Sequence, residues 1–271
     1  MLLRVVSGLL LAPLLAVLIF APPLVSALLL AAISVKAVTE LLAHRKRPLP
    51  VSAVLLACAA SPAVFALAYL RAPFIAYFAA AALLLAALFA LRLARFATFL
   101  TDDLAFVYFA ALAVPLMYSS VLRLMLADPR RYAVLLPFVI TIFSDMAAHA
   151  CGSLWGKHPL APVVSPGKTV EGSVCGFVFC VVAVLLYGYC LARFFPASVS
   201  YPRLLLFGAA GNVAAQFGDL CFSAVKREYR VKDFGKLIPG HGGALDRFDS
   251  LLFVAPLTEL LCAALPAIAP L

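Results

Sequence analysis

Residues 219–249 read DLCFSAVKREYRVKDFGKLIPGHGGALDRFD, and the contrast between this stretch and its flanks decides the fold. It carries six of the 21 Lys+Arg and five of the twelve Asp+Glu, while the sequence on either side is almost pure hydrocarbon. The whole chain of 271 residues is 66% hydrophobic, with a mean hydropathy of +1.11. Apolar runs of about 18 residues or more recur along it, the length a helix needs to cross a bilayer. They do not alternate apolar and polar positions as the strands of a membrane β-barrel would. The class that fits is an all-α, polytopic integral membrane protein.

Nine candidate spans follow, at about 3–20, 23–42, 51–70, 73–91, 104–125, 132–152, 172–194, 203–225 and 249–268. Ala21-Pro22-Pro23 breaks the first from the second. The count falls to eight if the fourth and fifth merge. The opening MLLRVVSGLLLAPLLAVLIF has the outline of a signal peptide, but a second apolar segment follows at once, so a retained first span is expected. With the N-terminus in the cytoplasm, fifteen Lys and Arg fall in inside segments against six outside, counting all 21, which is the positive-inside pattern. His44-Arg45-Lys46-Arg47 lies in one of those inside segments. The net charge of +9 therefore reflects membrane orientation and anionic head groups, and no nucleic acid is expected as a partner. Residues 1–130 are read as about five N-terminal spans. Residues 131–271 are read as a catalytic transmembrane region with cytoplasmic loops 153–171 and 226–248. The length, without a targeting extension, favours a bacterial inner (plasma) membrane. The seven cysteines lie mostly inside apolar runs with no C-x-x-C pair, and are expected to be small apolar side chains.

The eighth span carries a polar face. Asn212, Gln216, Asp219, Ser223, Lys226 and Arg230 are spaced four, three, four, three and four apart, one face of a helix. Asn212 and Gln216 read as a structural stripe bonding a neighbouring helix. Asp219, at the boundary between membrane and cytoplasm, reads as functional, because an acid within a span is costly. Downstream, Gly235, Pro239, Gly240, Gly242 and Gly243 exclude a regular helix between Lys236 and Leu245. Glycines let main-chain N–H groups approach an anion. Lys226, Arg227, Lys232 and Arg247 can neutralise a triphosphate. Asp233, Asp246 and Asp249 are oxygen donors of the kind Mg²⁺ prefers. A merely solvated charged loop would need neither the turn at His241-Gly242-Gly243 nor mixed charges three residues apart.

A second constellation surrounds the sixth and seventh spans. Asp145 stands one turn before His149, and the following loop reads WGKHPLAPVVSPGKTVEGSVCG. Gly167-Lys168-Thr169 matches the end of a P-loop, but Pro162 takes the place of the first glycine and no strand is expected before it. The P-loop reading is rejected. Ser165, Lys168 and Thr169 are read instead as phosphate-contacting donors. Glu171 is either a helix N-terminal charge or part of the site, and His149 either a satisfied intramembrane histidine or a ligand. Glu40 and Glu259 stand in or next to spans with no partner assigned.

Together these residues resemble the phosphatidate cytidylyltransferase (CDP-diacylglycerol synthase) family. That family's signature runs from a Ser through Lys-Arg, Lys-Asp and His-Gly-Gly to Asp-Arg-x-Asp. Here it is Ser223, Lys226-Arg227, Lys232-Asp233, Pro239, His241-Gly242-Gly243, Asp246-Arg247 and Asp249. Ser144-Asp145 and the run from Ser165 to Gly172 are similar to its upstream elements. The resemblance covers about residues 140–256. Ala244, Met146, His149, Ser153 and Gly167 depart from the pattern. The resemblance implies transfer from CTP to phosphatidate, giving CDP-diacylglycerol and pyrophosphate at the cytoplasmic face. Within it, Asp219, Lys226, Arg227, Asp246 and Arg247 are the catalytic group. Ser165, Lys168, Thr169, Ser223, Lys232, His241, Gly242 and Gly243 would bind substrate. Asp219 and Asp246 would bind Mg²⁺, with Asp249, Asp233 and Asp145 as further ligand candidates. A monovalent cation such as K⁺ and a homodimer are implied by the resemblance alone. The rival readings are a CTP-dependent lipid-alcohol kinase and a transporter for an anionic solute. The full downstream signature speaks against the first. The confinement of the charges to one membrane face speaks against the second.

Overall fold

The computed structural model describes residues 13–45, 47–235 and 242–270. It is built of helices: α1 (13–20), then α2 (Pro23–Leu42), α3 (Val51–Tyr69), α4 (Phe74–Ala94) and α5 (Thr101–Ala127). A 3₁₀ turn at Ala133–Leu135 leads into α6 (Leu136–Trp155), followed by α7 (Val170–Phe194), α8 (Tyr201–Glu228) and α9 (Ala244–Ala264). Among the described residues, seven helical segments, from Pro23–Leu42 to Tyr201–Glu228, are long and apolar enough to cross a membrane. Most of the first expected span lies outside the described residues. The last, α9, carries Asp246, Arg247, Asp249 and Glu259 and loses helical geometry at Phe248 (φ −125°, ψ 16°). The fourth and fifth spans are separate helices, divided by a turn at residues 95–100.

Contacts divide the chain into two compact units. One comprises Met1–Leu126 with Val231–Arg247, the other Ala127–Arg230 with Phe248–Leu271.

In the first unit, α2 packs on α3 across a buried pair of serines, Ser34 Oγ donating to Ser61 Oγ at 3.2 Å. Arg45 pairs with the buried Asp103 at the start of α5, and its guanidinium lies 5.0 Å from the Phe106 ring centre. A charge in the HRKR segment is thus bound to an acid rather than left to solvent. α4 carries one charge, Arg92 in its last turn, and buries only Leu88, so the apolar surface of its remaining length suits lipid.

In the second unit, α6, α7 and α8 pack at backbone distance. A Cβ at Gly172 would stand 2.6 Å from the Ala148 carbonyl oxygen, and one at Gly176 would stand 3.0 Å from that of Ser144. This is small-residue packing, which lets membrane helices approach closely. Its closeness accounts for one departure from expectation: Cys151 on α6 and Cys175 on α7 are joined by a disulfide, Cα atoms 6.3 Å apart. Cys180 is buried in the core with Leu136, Ile140, Val184, Leu204 and Phe207, as an apolar side chain should be. A short hairpin and a pairing of two strands distant in sequence complete the unit. β1 (Pro159–Ala161) pairs antiparallel with β2 (Ser165–Thr169), and β3 (Ala197–Val199) pairs with β4 (Ile268–Pro270). A strand therefore does precede Gly167-Lys168-Thr169. It belongs to a hairpin, not to a βα unit, and β2 runs straight into α7. No P-loop geometry results.

Candidate functional site

The polar face of α8 divides into two parts. Toward the middle of the helix the groups satisfy one another. Asn212 Nδ2 donates to Ser144 Oγ of α6 at 2.8 Å, and Gln216 Nε2 donates to Asn212 Oδ1 at 2.7 Å and to the Ser173 carbonyl at 3.0 Å. Ser173 Oγ in turn donates to Gln216 Oε1. Asn212 and Gln216 thus form the structural stripe read from the sequence, and it ties α8 to both α6 and α7.

One turn further, the groups are half-buried and face a cavity. Asp219 pairs with Lys168 of β2, with the two side chains 25% and 27% exposed. Ser223 Oγ donates to Asp219 Oδ1 at 3.3 Å. The cavity, about 240 Å³, is lined by Asp145 and His149 of α6, Lys168 and Thr169 of β2, Gly172 and Ser173 of α7, and Gln216 and Asp219 of α8, with Ala148, Leu160 and Gly167. Asp145, expected as an outlying ligand candidate, so shares a polar space with Asp219. Thr169 has a structural duty there: its Oγ1 accepts the Gly172 N–H at 3.1 Å, capping α7. Its own hydroxyl hydrogen remains a donor.

The hairpin is held from both ends. Glu171 Oε2 accepts the N–H groups of Lys157 and His158 at 3.1 and 3.2 Å, and Glu171 Oε1 meets His158 Nδ1 at 2.5 Å. Arg227 Nε donates to the Val164 carbonyl at 3.1 Å. Glu171 therefore orders the base of the hairpin instead of only charging a helix terminus. Ser165 opens β2.

α9 approaches α8 closely where α8 has Gly218, whose Cβ would stand 2.7 Å from Phe253 and 3.2 Å from the Asp249 carbonyl. Phe253 stacks edge-on against Phe217, ring centres 5.5 Å apart. That approach sets the buried Asp249 beside Lys226, Oδ2 to Nζ 3.7 Å, side chains 10% and 13% exposed. Arg230 departs from the expected stripe: α8 ends at Glu228, and Arg230 takes a left-handed conformation (φ 56°) beyond it.

The remaining residues of the signature belong to the first unit. Asp246 Oδ2 accepts the N–H groups of Phe234 at 2.7 Å, Gly243 at 2.9 Å and Gly235 at 3.4 Å. Gly242 sits at φ 83°, a conformation glycine adopts without strain. Lys232, Asp233 and Arg247 are exposed. His241, with Lys236 through Gly240, lies outside the described residues. Glu40 has no partner assignable from the sequence. It is buried on α2, and its Oε2 accepts the Leu245 N–H at 3.0 Å. The signal available was an acid in an apolar span; its partner is far along the chain.

The profile described as the cytidylyltransferase family matches residues 2–265 of this chain. Among curated relatives, a phosphatidate cytidylyltransferase of Bacillus subtilis (strain 168) is 38% identical over 167 residues, 61% of each chain. One of Staphylococcus saprophyticus is 41% identical over 128 residues, 47% of this chain and 48% of its own. One of Staphylococcus epidermidis is 42% identical over 128 residues, again 48% of its own length. The chain thus spans between about half and three-fifths of the length of these relatives.

Proposed function

This chain belongs to the cytidylyltransferase family, and from that premise we propose that it is a phosphatidate cytidylyltransferase of phospholipid biosynthesis. It converts CTP and phosphatidate to CDP-diacylglycerol and pyrophosphate. The observation that carries the reading is the cavity in which Lys168, Asp219 and Asp145 meet at the polar end of an apolar helix bundle. A lipid phosphate and a nucleotide triphosphate both need such a place.

The reaction asks little proton chemistry of the protein. An oxygen of the lipid phosphate attacks the α-phosphorus of CTP, a new P–O bond forms, and the bond to the β-phosphate's bridging oxygen breaks, releasing pyrophosphate. The attacking oxygen is already anionic, so positioning and charge neutralisation dominate. Lys168 and the Thr169 hydroxyl hold phosphate oxygens in the cavity, with Ser165 beside them on β2. Lys226 and Arg227, with Lys232, His241 and Arg247, offset the remaining charge. Ser223 keeps Asp219 oriented.

The donor set suits Mg²⁺. It commonly takes only one or two protein carboxylates and completes its shell with water and substrate phosphates. Asp219 and Asp145 offer that pair in one cavity. Asp219 and Asp145 would hold the ion, with Asp246, Asp249 and Asp233 as the further carboxylates and K⁺ as a second cation. When bound, Mg²⁺ supplies charge stabilisation at the α-phosphate and the departing pyrophosphate. Nine spans, a cytoplasmic N-terminus, a plasma-membrane location with the site on the cytoplasmic side, and a homodimer complete the proposal. The charge distribution supports the orientation.

Purified protein in detergent, given Mg²⁺, phosphatidate and CTP labelled separately at the α- and γ-phosphates, tests it. The α-label should enter lipid and the γ-label should leave as pyrophosphate. A chelator should stop both and added Mg²⁺ restore them. Entry of γ-label into a lipid alcohol would establish a kinase instead. If neither label moves, the reading fails.

A further inference from the structure

We propose that Glu40 is a positioning residue: it stands in for the cap that α9 lacks, and so fixes the turn leading into Asp246 and Arg247. Four observations within the first unit carry this. First, the residue before α9 is Gly243, which has no side chain to accept the free N–H groups that open every helix. Glu40, 4% exposed, fills that role from α2 by accepting the Leu245 N–H at 3.0 Å.

Second, the space is cut to this carboxylate. A Cβ at Gly243 would stand 2.2 Å from Glu40 Oε2, and one at Gly235 would stand 2.4 Å from Oε1. At these two positions the reason for glycine is an acid on another helix.

Third, Asp246 complements it. Three positions into the helix counting from Gly243, it reaches back to the Gly243 N–H at 2.9 Å, the returning half of a capping box. Glu40 and Asp246 thereby divide the free amides of the turn between them. Fourth, the residues just past the end of α2 continue the clamp. His44 meets the Phe234 carbonyl through its ring nitrogen at 2.7 Å, and the two rings stand 5.9 Å apart. Lys36 lies 3.7 Å from Glu40 Oε1, moderating the charge of an otherwise buried acid.

Glu40 donates nothing to substrate in this account. It acts through the turn, so the effect should fall on turnover more than on nucleotide binding. The activity arm of the test rests on the cytidylyltransferase reading; the exchange arm does not. Full-length wild type and the variants Glu40→Gln, Glu40→Ala, Gly243→Ala and Glu40→Ala/Gly243→Ala are compared in detergent. The readouts are hydrogen exchange over residues 242–247 and kcat and KM for CTP. Glu40→Ala should accelerate exchange there and lower kcat by roughly ten- to a hundredfold, the cost of slight misplacement, with KM for CTP changed less. Glu40→Gln keeps an oxygen for the Leu245 N–H and should recover most of both. Gly243→Ala should be damaging alone and add little to Glu40→Ala, because the atoms it collides with are gone. The proposal is overturned by unchanged exchange in Glu40→Ala, by Glu40→Gln matching Glu40→Ala, or by additive effects in the double variant. Should Glu40→Ala fail to fold, Glu40→Gln and Gly243→Ala still decide through exchange. A wild type that moves no α-label would sink the functional reading, and the exchange comparison would still decide this one.

Discussion

At Asp219 the partners are side chains, Lys168 and Ser223, in a cavity where the carboxylate stays a quarter exposed. At Asp246 one oxygen gathers three main-chain N–H groups. The sequence presents the two as equivalent acids of one signature, and the structure gives them different constraints. Side-chain partners can swing aside when a cation or phosphate arrives. Main-chain amides cannot, so Asp246 holds a turn whatever else it does. A dead Asp246 variant would therefore not by itself identify a ligand to metal; stability has to be read alongside activity.

That contrast can be broken by experiment. The largest effect on turnover should come from Asp219→Asn, with kcat down about 10²–10³-fold, the usual cost of one preorganised electrostatic group, and thermal unfolding in detergent unmoved. A matching fall in Tm would erase the distinction. Asp246→Ala should instead lower activity and stability together. Stranding buried amide donors costs about 1–3 kcal/mol, seen as a Tm several degrees lower, whereas Asp246→Asn, which keeps an acceptor oxygen, should unfold near wild type. Lys168→Met should cost roughly tenfold in kcat/KM, the loss of one charge-assisted contact, mostly in KM for CTP. Smaller again, Thr169→Val should cost about 1 kcal/mol of stability as a lost helix cap, visible as faster hydrogen exchange at the start of α7. Gln216→Leu should cost stability of similar size, about 0.6 kcal/mol for each of its two hydrogen bonds to Ser173 of α7, but should affect catalysis least, with activity near wild type. A large loss of activity there would move the boundary of the site inward along α8.

Much of this architecture was legible because hydropathy is a local property. The helices from α2 to α8 begin and end within a few residues of the expected spans, and the helical spacing of Asn212, Gln216 and Asp219 does produce one face. What could not be read depends on distance or on approach. Nothing in HPLAPVVSPGKT, with its three prolines, alternates as a strand does, yet it folds into the β1–β2 hairpin once Glu171 and Arg227 hold it. Cys151 and Cys175 gain their bond from the closeness that Gly172 and Gly176 permit, which cysteine spacing does not encode. Arg230 continues the helical spacing on paper, but the helix stops before it.

The bond between Glu40 and Leu245 also says something about the order of events at the ribosome. The two residues are 205 positions apart, and chains emerge at about 5–20 residues per second. For roughly 10–40 s the nascent protein carries an acid in α2 whose amide partner does not yet exist. During that interval the first unit lacks its Val231–Arg247 segment. Chains arrested before residue 245 should be correspondingly more open to membrane proteases than chains arrested after α9, which would make the turn a late checkpoint of assembly as well as a part of the finished fold.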